Sequence, residues 1–139
     1  MILSIPAGDS RPYIDQHLIY STPAGRSFDM TREFTFRAKN GEMSRIYRVE
    51  HAVLGVNPPD ALPLLRLGSY QELSADQVRR LKIYMVSTSR NLAGYNEVQD
   101  YYFLTTTEND VLLNRPQMVP NSTITKGYSR EALMQGGRL

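Results

Sequence analysis

Apolar and polar residues alternate along two runs that mirror each other about Asn40-Gly41. A two-residue type I′ hairpin turn needs positive φ at both central positions, and Asn followed by Gly tolerates it best. Setting Lys39 opposite Glu42 fixes a register for both strands. One face then carries Ala38 with Met43, Phe36 with Arg45, Phe34 with Tyr47, Arg32 with Val49, Met30 with His51 and Phe28 with Val53, and is largely apolar. The other carries Lys39 with Glu42, Arg37 with Ser44, Thr35 with Ile46, Glu33 with Arg48, Thr31 with Glu50 and Asp29 with Ala52, and is mostly polar. A slip of one residue would exchange the two faces on one strand only, so their agreement supports a hairpin over 27–54. Strands of about 12 residues would reach roughly 40 Å, well beyond the usual length. Such a ribbon outruns a small core, so it either bends across two sheets or projects its tip onto a neighbour.

Elsewhere the pattern changes period. Residues 17–22 read as a short strand ended by Pro23-Ala24-Gly25, and Asn57-Pro58-Pro59-Asp60 is a break before the apolar run 62–67, suited to a buried strand or an extended packed segment. Ser74 with Gln77 forms a capping box, flanked by Leu73 and Val78 as a hydrophobic staple. Val78, Leu81, Met85 and Leu92 follow on one stripe and Gly94 is placed to end it, which predicts a helix at about 75–91. The aromatic and β-branched stretch 98–107 predicts another strand, with a short one at 111–113. Residues 1–13, broken by Pro6, Gly8 and Pro12, read as an arm or a loosely docked terminus, and residues 115–139, broken by Pro and Gly with sparse apolar residues, as an extended arm ordered, if at all, against a neighbour.

The expectation is therefore a mainly β, β-rich α+β fold. It takes the form of an antiparallel sheet or small sandwich or barrel with a long hairpin at 27–54, one helix at about 75–91 and extended N- and C-terminal arms. The domain division is an arm at 1–13, a single β-rich domain at 14–114 and an arm at 115–139. A length of 139 residues suits one core, and 41% hydrophobic with 22% charged residues is ordinary globular composition. With no cysteine there is no disulfide framework, thiolate metal site or cysteine nucleophile. The opening apolar run is cut by Pro6 and Asp9, which predicts no signal peptide or membrane span; the chain is expected in a virion if viral, otherwise in the cytoplasm.

Chemistry-bearing motifs are sparse. His17 and His51 have no ligand-spaced partner, no Glu-x-Lys or Asp-x-Lys occurs, and no phosphate-cradling glycine loop is present. No catalytic residue, cofactor or metal site is expected, and the chain is read as a non-enzyme. The formal charge of +2 does not imply a nucleic-acid partner, but Arg79, Arg80, Lys82 and Arg90 on the helix, with Arg37, Lys39, Arg45 and Arg48 by the hairpin tip, could form a surface for phosphate backbones. Tyr95, Tyr101, Tyr102 and Phe103 at strand spacing suit core and rim. Asn121-Ser122-Thr123 matches a glycosylation sequon by pattern only.

These features favour a non-catalytic structural or assembly subunit, with a virus or phage particle (capsid decoration, connector or tail) as its setting. Its partners would be protein subunits of the same assembly, as copies of itself or other structural proteins. The expected interface residues are Phe36, Lys39, Asn40, Gly41, Met43 and Arg45 on the hairpin, with Met118, Ile124, Tyr128 and Leu133 on the C-terminal arm. The alternative is a nucleic-acid-binding module using the basic helix and hairpin tip.

Overall fold

The computed structural model describes residues 1–25, 28, 32–88 and 97–139. In chain order its regular elements are β1 (Ile2–Pro6), α1 (Arg11–His17), β2 (Ile19–Pro23), β3 (Glu33–Arg37), β4 (Ile46–Val56), α2 (Pro58–Arg66), α3 (Ala75–Thr88), β5 (Gln99–Thr105), β6 (Lys126–Tyr128) and α4 (Arg130–Gln135). The six strands form one sheet in the order β2-β5-β4-β3-β1-β6. β1 runs parallel to β3, whereas β3–β4, β2–β5 and β1–β6 are antiparallel, so the sheet is mixed. With four α-helices among the described residues the fold is mixed α+β rather than mainly β.

Two of the unanticipated helices have prolines near their starts. Pro12 is the second residue of α1, and Pro58 and Pro59 open α2. Proline there loses no intrahelical bond and its φ already suits the helix, so a residue that breaks a strand can begin a helix. In α2 the Asn57 carbonyl accepts from Asp60 and Ala61, and the run 62–67, expected as extended, is mostly helical.

The chain divides into two compact units, one of Met1–Pro12, Phe28–Val49 and Leu104–Leu139, the other of Tyr13–Ser27 and Glu50–Phe103. In the first unit the hairpin keeps its expected register near the base, at Glu33–Arg48, Phe34–Tyr47 and Thr35–Ile46, and the Val49 amide donates to the Arg32 carbonyl at 2.7 Å. Its outer part differs. Gly41 donates to the Ala38 carbonyl at 2.9 Å, Ala38 donates to Glu42, and Gly41 alone in the turn has positive φ. That makes Lys39-Asn40 the centre of the turn and Gly41 its left-handed third residue, not the two-residue turn first expected. Ala38 is three positions from Thr35 but Ile46 is four from Glu42, so the second strand bulges.

The bulged segment is held by the C-terminal part of the chain. Met43 donates to Pro116, Met118 to Gly41, Asn121 to Lys39 and Leu112 to Ser44, at 2.9–3.0 Å. The tip therefore does not project as an isolated ribbon. The expected pairs at residues 29–31 lie outside the described residues. The expected extended arms are also corrected: β1 occupies an interior place in the sheet, β6 pairs with it, and Leu133 of α4 is fully buried. Met118, Tyr128, Met134 and Leu139 pack with the buried Ile2, Met43, Ile46, Leu112 and Leu133. Pieces of three to six residues are too short to show a period, so their apolar residues looked isolated in sequence. They also cover the second face of β3, where Thr35 and Arg37 are buried.

In the second unit the capping box forms in both directions. Gln77 donates its amide to Ser74 Oγ at 3.1 Å, and Ser74 donates to Gln77 Oε1 at 2.9 Å. Val78, Leu81 and Met85 of α3 are buried with Ala61 and Leu65 of α2, Ile19, Val53, Val56, Tyr84, Tyr101 and Phe103. The expected stripe is thus the core face of α3; Leu92 and Gly94 lie outside the described residues.

Candidate functional site

Several charged groups of the first unit are committed to structure. Arg37 is 1% exposed, and its guanidinium donates to Ser4 O at 2.8 Å, to Ser4 Oγ at 2.7 Å, to Ser122 O at 3.4 Å and to Ile124 O. Burial lowers its pKa from the ordinary arginine value, and nearby Tyr128 opposes this. Asp110 is fully buried and accepts from Thr107 Oγ1 at 2.9 Å, Arg48 Nε at 3.3 Å and Arg130 at 3.1 Å, while Arg130 also meets Glu33 at 3.0 Å. Lys39 pairs with Asp9 at 2.9 Å. The electropositive hairpin surface is consequently much reduced: one cation is inside the protein and two are in ion pairs.

Burial alone would raise the Asp110 pKa, but the hydrogen bonds from Thr107, Arg48 and Arg130 outweigh it and hold the carboxyl below its ordinary value. A depressed folded pKa means stability that is present above the unfolded carboxylate range and lost as pH falls through the folded value. Asp110→Asn is expected to cost about 1.5–3 kcal/mol at neutral pH, near the lower figure because both arginines are partly solvated. The gap to the parent chain should shrink in urea titrations carried into acid; an equal gap at pH 7 and pH 3 would contradict the assignment. His17 acts in the same direction at higher pH. Burial lowers its pKa from 6.5, its ring meets Tyr84 edge-on at 5.8 Å, and Nε2 is buried without a hydrogen-bond partner among the described residues. Its contribution is lost as pH falls from the unfolded value toward the lower folded one.

The expected interface residues separate by exposure. Phe36, Met43 and Leu133 lie in the core, and Gly41 is buried under the Met118 backbone, so none of these four is exposed in the folded chain. Arg45, Met118 and Tyr128 are half-buried, while Lys39, Asn40 and Ile124 are exposed. Of the helix cations, Arg79 pairs with Asp76 at 2.6 Å. Arg80 pairs with Glu50 at 3.3 Å, donates to Leu18 O at 3.0 Å and lies 5.2 Å over the Phe103 ring. Arg90 lies outside the described residues. His51 is exposed beside Phe103, and no group of three or more potential metal ligands occurs among the described residues.

Lys82 has a different setting. With Arg66 of α2 and Ile83, Val86 and Ser87 of α3 it lines an open, mainly apolar groove of about 360 Å³. Ile83 is 40% exposed and Val86 50%; on α2 Leu64 is 49% exposed, and Leu67 just beyond its end is 82% exposed. The helical repeat places 83 and 86 one turn apart and away from the stripe of 78, 81 and 85. This second apolar pair is legible in the sequence as a helical spacing, but it is shorter than the core stripe and interleaved with the cations. The α2 side is not legible, because a short apolar run such as 62–67 suits a buried strand or extended segment as well as a helix.

Arg66 and Lys82 have no carboxylate within salt-bridge distance among the described residues, in contrast to Arg79 and Arg80. The surface can offer apolar contact with two cations beside it. It has too few convergent polar groups for a small-ligand site. No helix of the described residues is long and apolar enough to cross a membrane. Comparison with protein-family models, curated proteins and solved structures gives no match for this chain.

Proposed function

We propose that this chain is a non-catalytic structural subunit of a larger assembly, in the setting of a virus or phage particle, and that it docks on a neighbouring subunit through the outward face of α3 beside α2. The observation that supports this is the exposure of Ile83 and Val86 of α3 in the groove they line with Arg66 of α2. Single exposed apolar residues are normal on a protein surface, whereas a neighbouring pair lining one mainly apolar concavity suits a contact surface. The exposed Lys39, Asn40 and Ile124 belong to the proposal as further contacts; the buried hairpin residues do not.

The test is the native mass of the tagged chain in extracts of the cells that make it. The parent is expected in a complex well above its own 15.8 kDa, and an Ile83→Asp, Val86→Asp double variant as free monomer. Both positions are solvent-facing, so the variant should fold, which circular dichroism checks. A parent chain that runs as a free monomer, or a double variant that stays in the complex, would overturn the proposal.

A further inference from the structure

We infer that the groove between α2 and α3 receives an acidic amphipathic helix of a partner protein, an inference that rests on the docking function proposed above. The two cations at the groove carry the argument. On the same helix Arg79 and Arg80 are neutralised by Asp76 and Glu50, leaving Lys82 and Arg66 as charges not balanced by a described carboxylate. They flank the apolar floor of Ile83 and Val86. A segment that buries its own apolar side chains on this floor must bring its flanking groups near both cations. Acidic flanks gain from that placement, basic flanks are repelled, and neutral flanks gain nothing.

The floor also selects a helix. Ile83 and Val86 are three positions apart on a regular helix, and Arg66 stands across the groove on α2. A helix laid along this groove presents apolar anchors at three- and four-residue intervals, matching the spacing beneath it. A second copy of this chain is the poorer occupant, since each copy carries a formal charge of +2 and the groove is itself basic.

The experiment uses the full chain and three synthetic 16-residue helical peptides. The first has leucines at three- and four-residue spacing flanked by glutamates, the second replaces the glutamates by lysines, and the third keeps the glutamates but replaces the leucines by serines. Fluorescence anisotropy is expected to show binding of the Leu/Glu peptide, with at least about tenfold weaker binding of the other two. An Arg66→Glu, Lys82→Glu double variant should lose at least about tenfold for the Leu/Glu peptide and gain for the Leu/Lys peptide, a reversal that misfolding cannot imitate. An Ile83→Ser variant should weaken both leucine peptides.

Absence of Leu/Glu binding, equal binding of the two leucine peptides, or indifference to the charge reversal would each overturn the inference. Sedimentation of the chain alone provides a further arm. Self-association abolished by Ile83→Asp would make a second copy the occupant and overturn the acidic partner while leaving the docking function intact. If the docking function itself fails, the native-mass experiment shows it independently of every peptide.

Discussion

Gly41→Val is expected to destabilise the protein by about 3–5 kcal/mol, with loss of the contact between the hairpin tip and residues 116–118. Two costs combine. Gly41 has φ of +88°, where a β-branched residue is strained, and a Cβ there would lie 2.8 Å from the Met118 carbonyl carbon and 3.3 Å from its nitrogen. Backbone cannot rotate aside as a flexible side chain can. The segment must move, and the bonds from Met118 to Gly41 and from Met43 to Pro116 go with it.

Gly25 supplies the control, because its φ is +97° but nothing among the described residues lies within 4 Å of a Cβ built on it. Gly25→Val should therefore cost only the conformational part, about 1–2 kcal/mol. Urea unfolding of both variants separates strain from collision. Equal losses at the two positions would show that the tip is not clamped by Met118.

Arg37→Ala should be comparably damaging, at about 3–5 kcal/mol in urea unfolding. The side chain joins Ser4 of β1 to the Ser122 and Ile124 carbonyls of the C-terminal segment, entirely out of solvent. Its removal leaves a cavity and takes the guanidinium donor from the buried Ser4 oxygens and the part-buried Ser122 and Ile124 carbonyls. Arg37→Met retains most of the volume and loses only the donors, so about half that cost is expected. A loss below about 1 kcal/mol for Arg37→Ala would mean that water satisfies these carbonyls as well as the guanidinium does.

Much of the local structure was legible in the sequence. The register at Phe34–Tyr47, the capping box of Ser74 and Gln77, the core stripe of α3 and the strand at Gln99–Thr105 all follow from contacts or periodicities within short stretches of chain. Such signals survive because a period of 2 or 3.6 repeats several times within one element. The outward stripe of Ile83 and Val86 belongs to the same class.

The sequence by itself therefore determined where chain direction and side-chain alternation repeat, and that the Asn40-Gly41 region turns. Only the tertiary structure decided what covers the hairpin and where the cations go. Residues 111–121 clamp the tip, β1 and β6 extend the sheet, and Arg37, read as a surface charge, is enclosed by oxygens from residues 33 and 85–87 positions away. The helical state of residues 58–66, and with it the far wall of the groove, was equally hidden. These features depend on pairings between distant, aperiodic pieces, and the gain from burying each piece exists only once the others are in place.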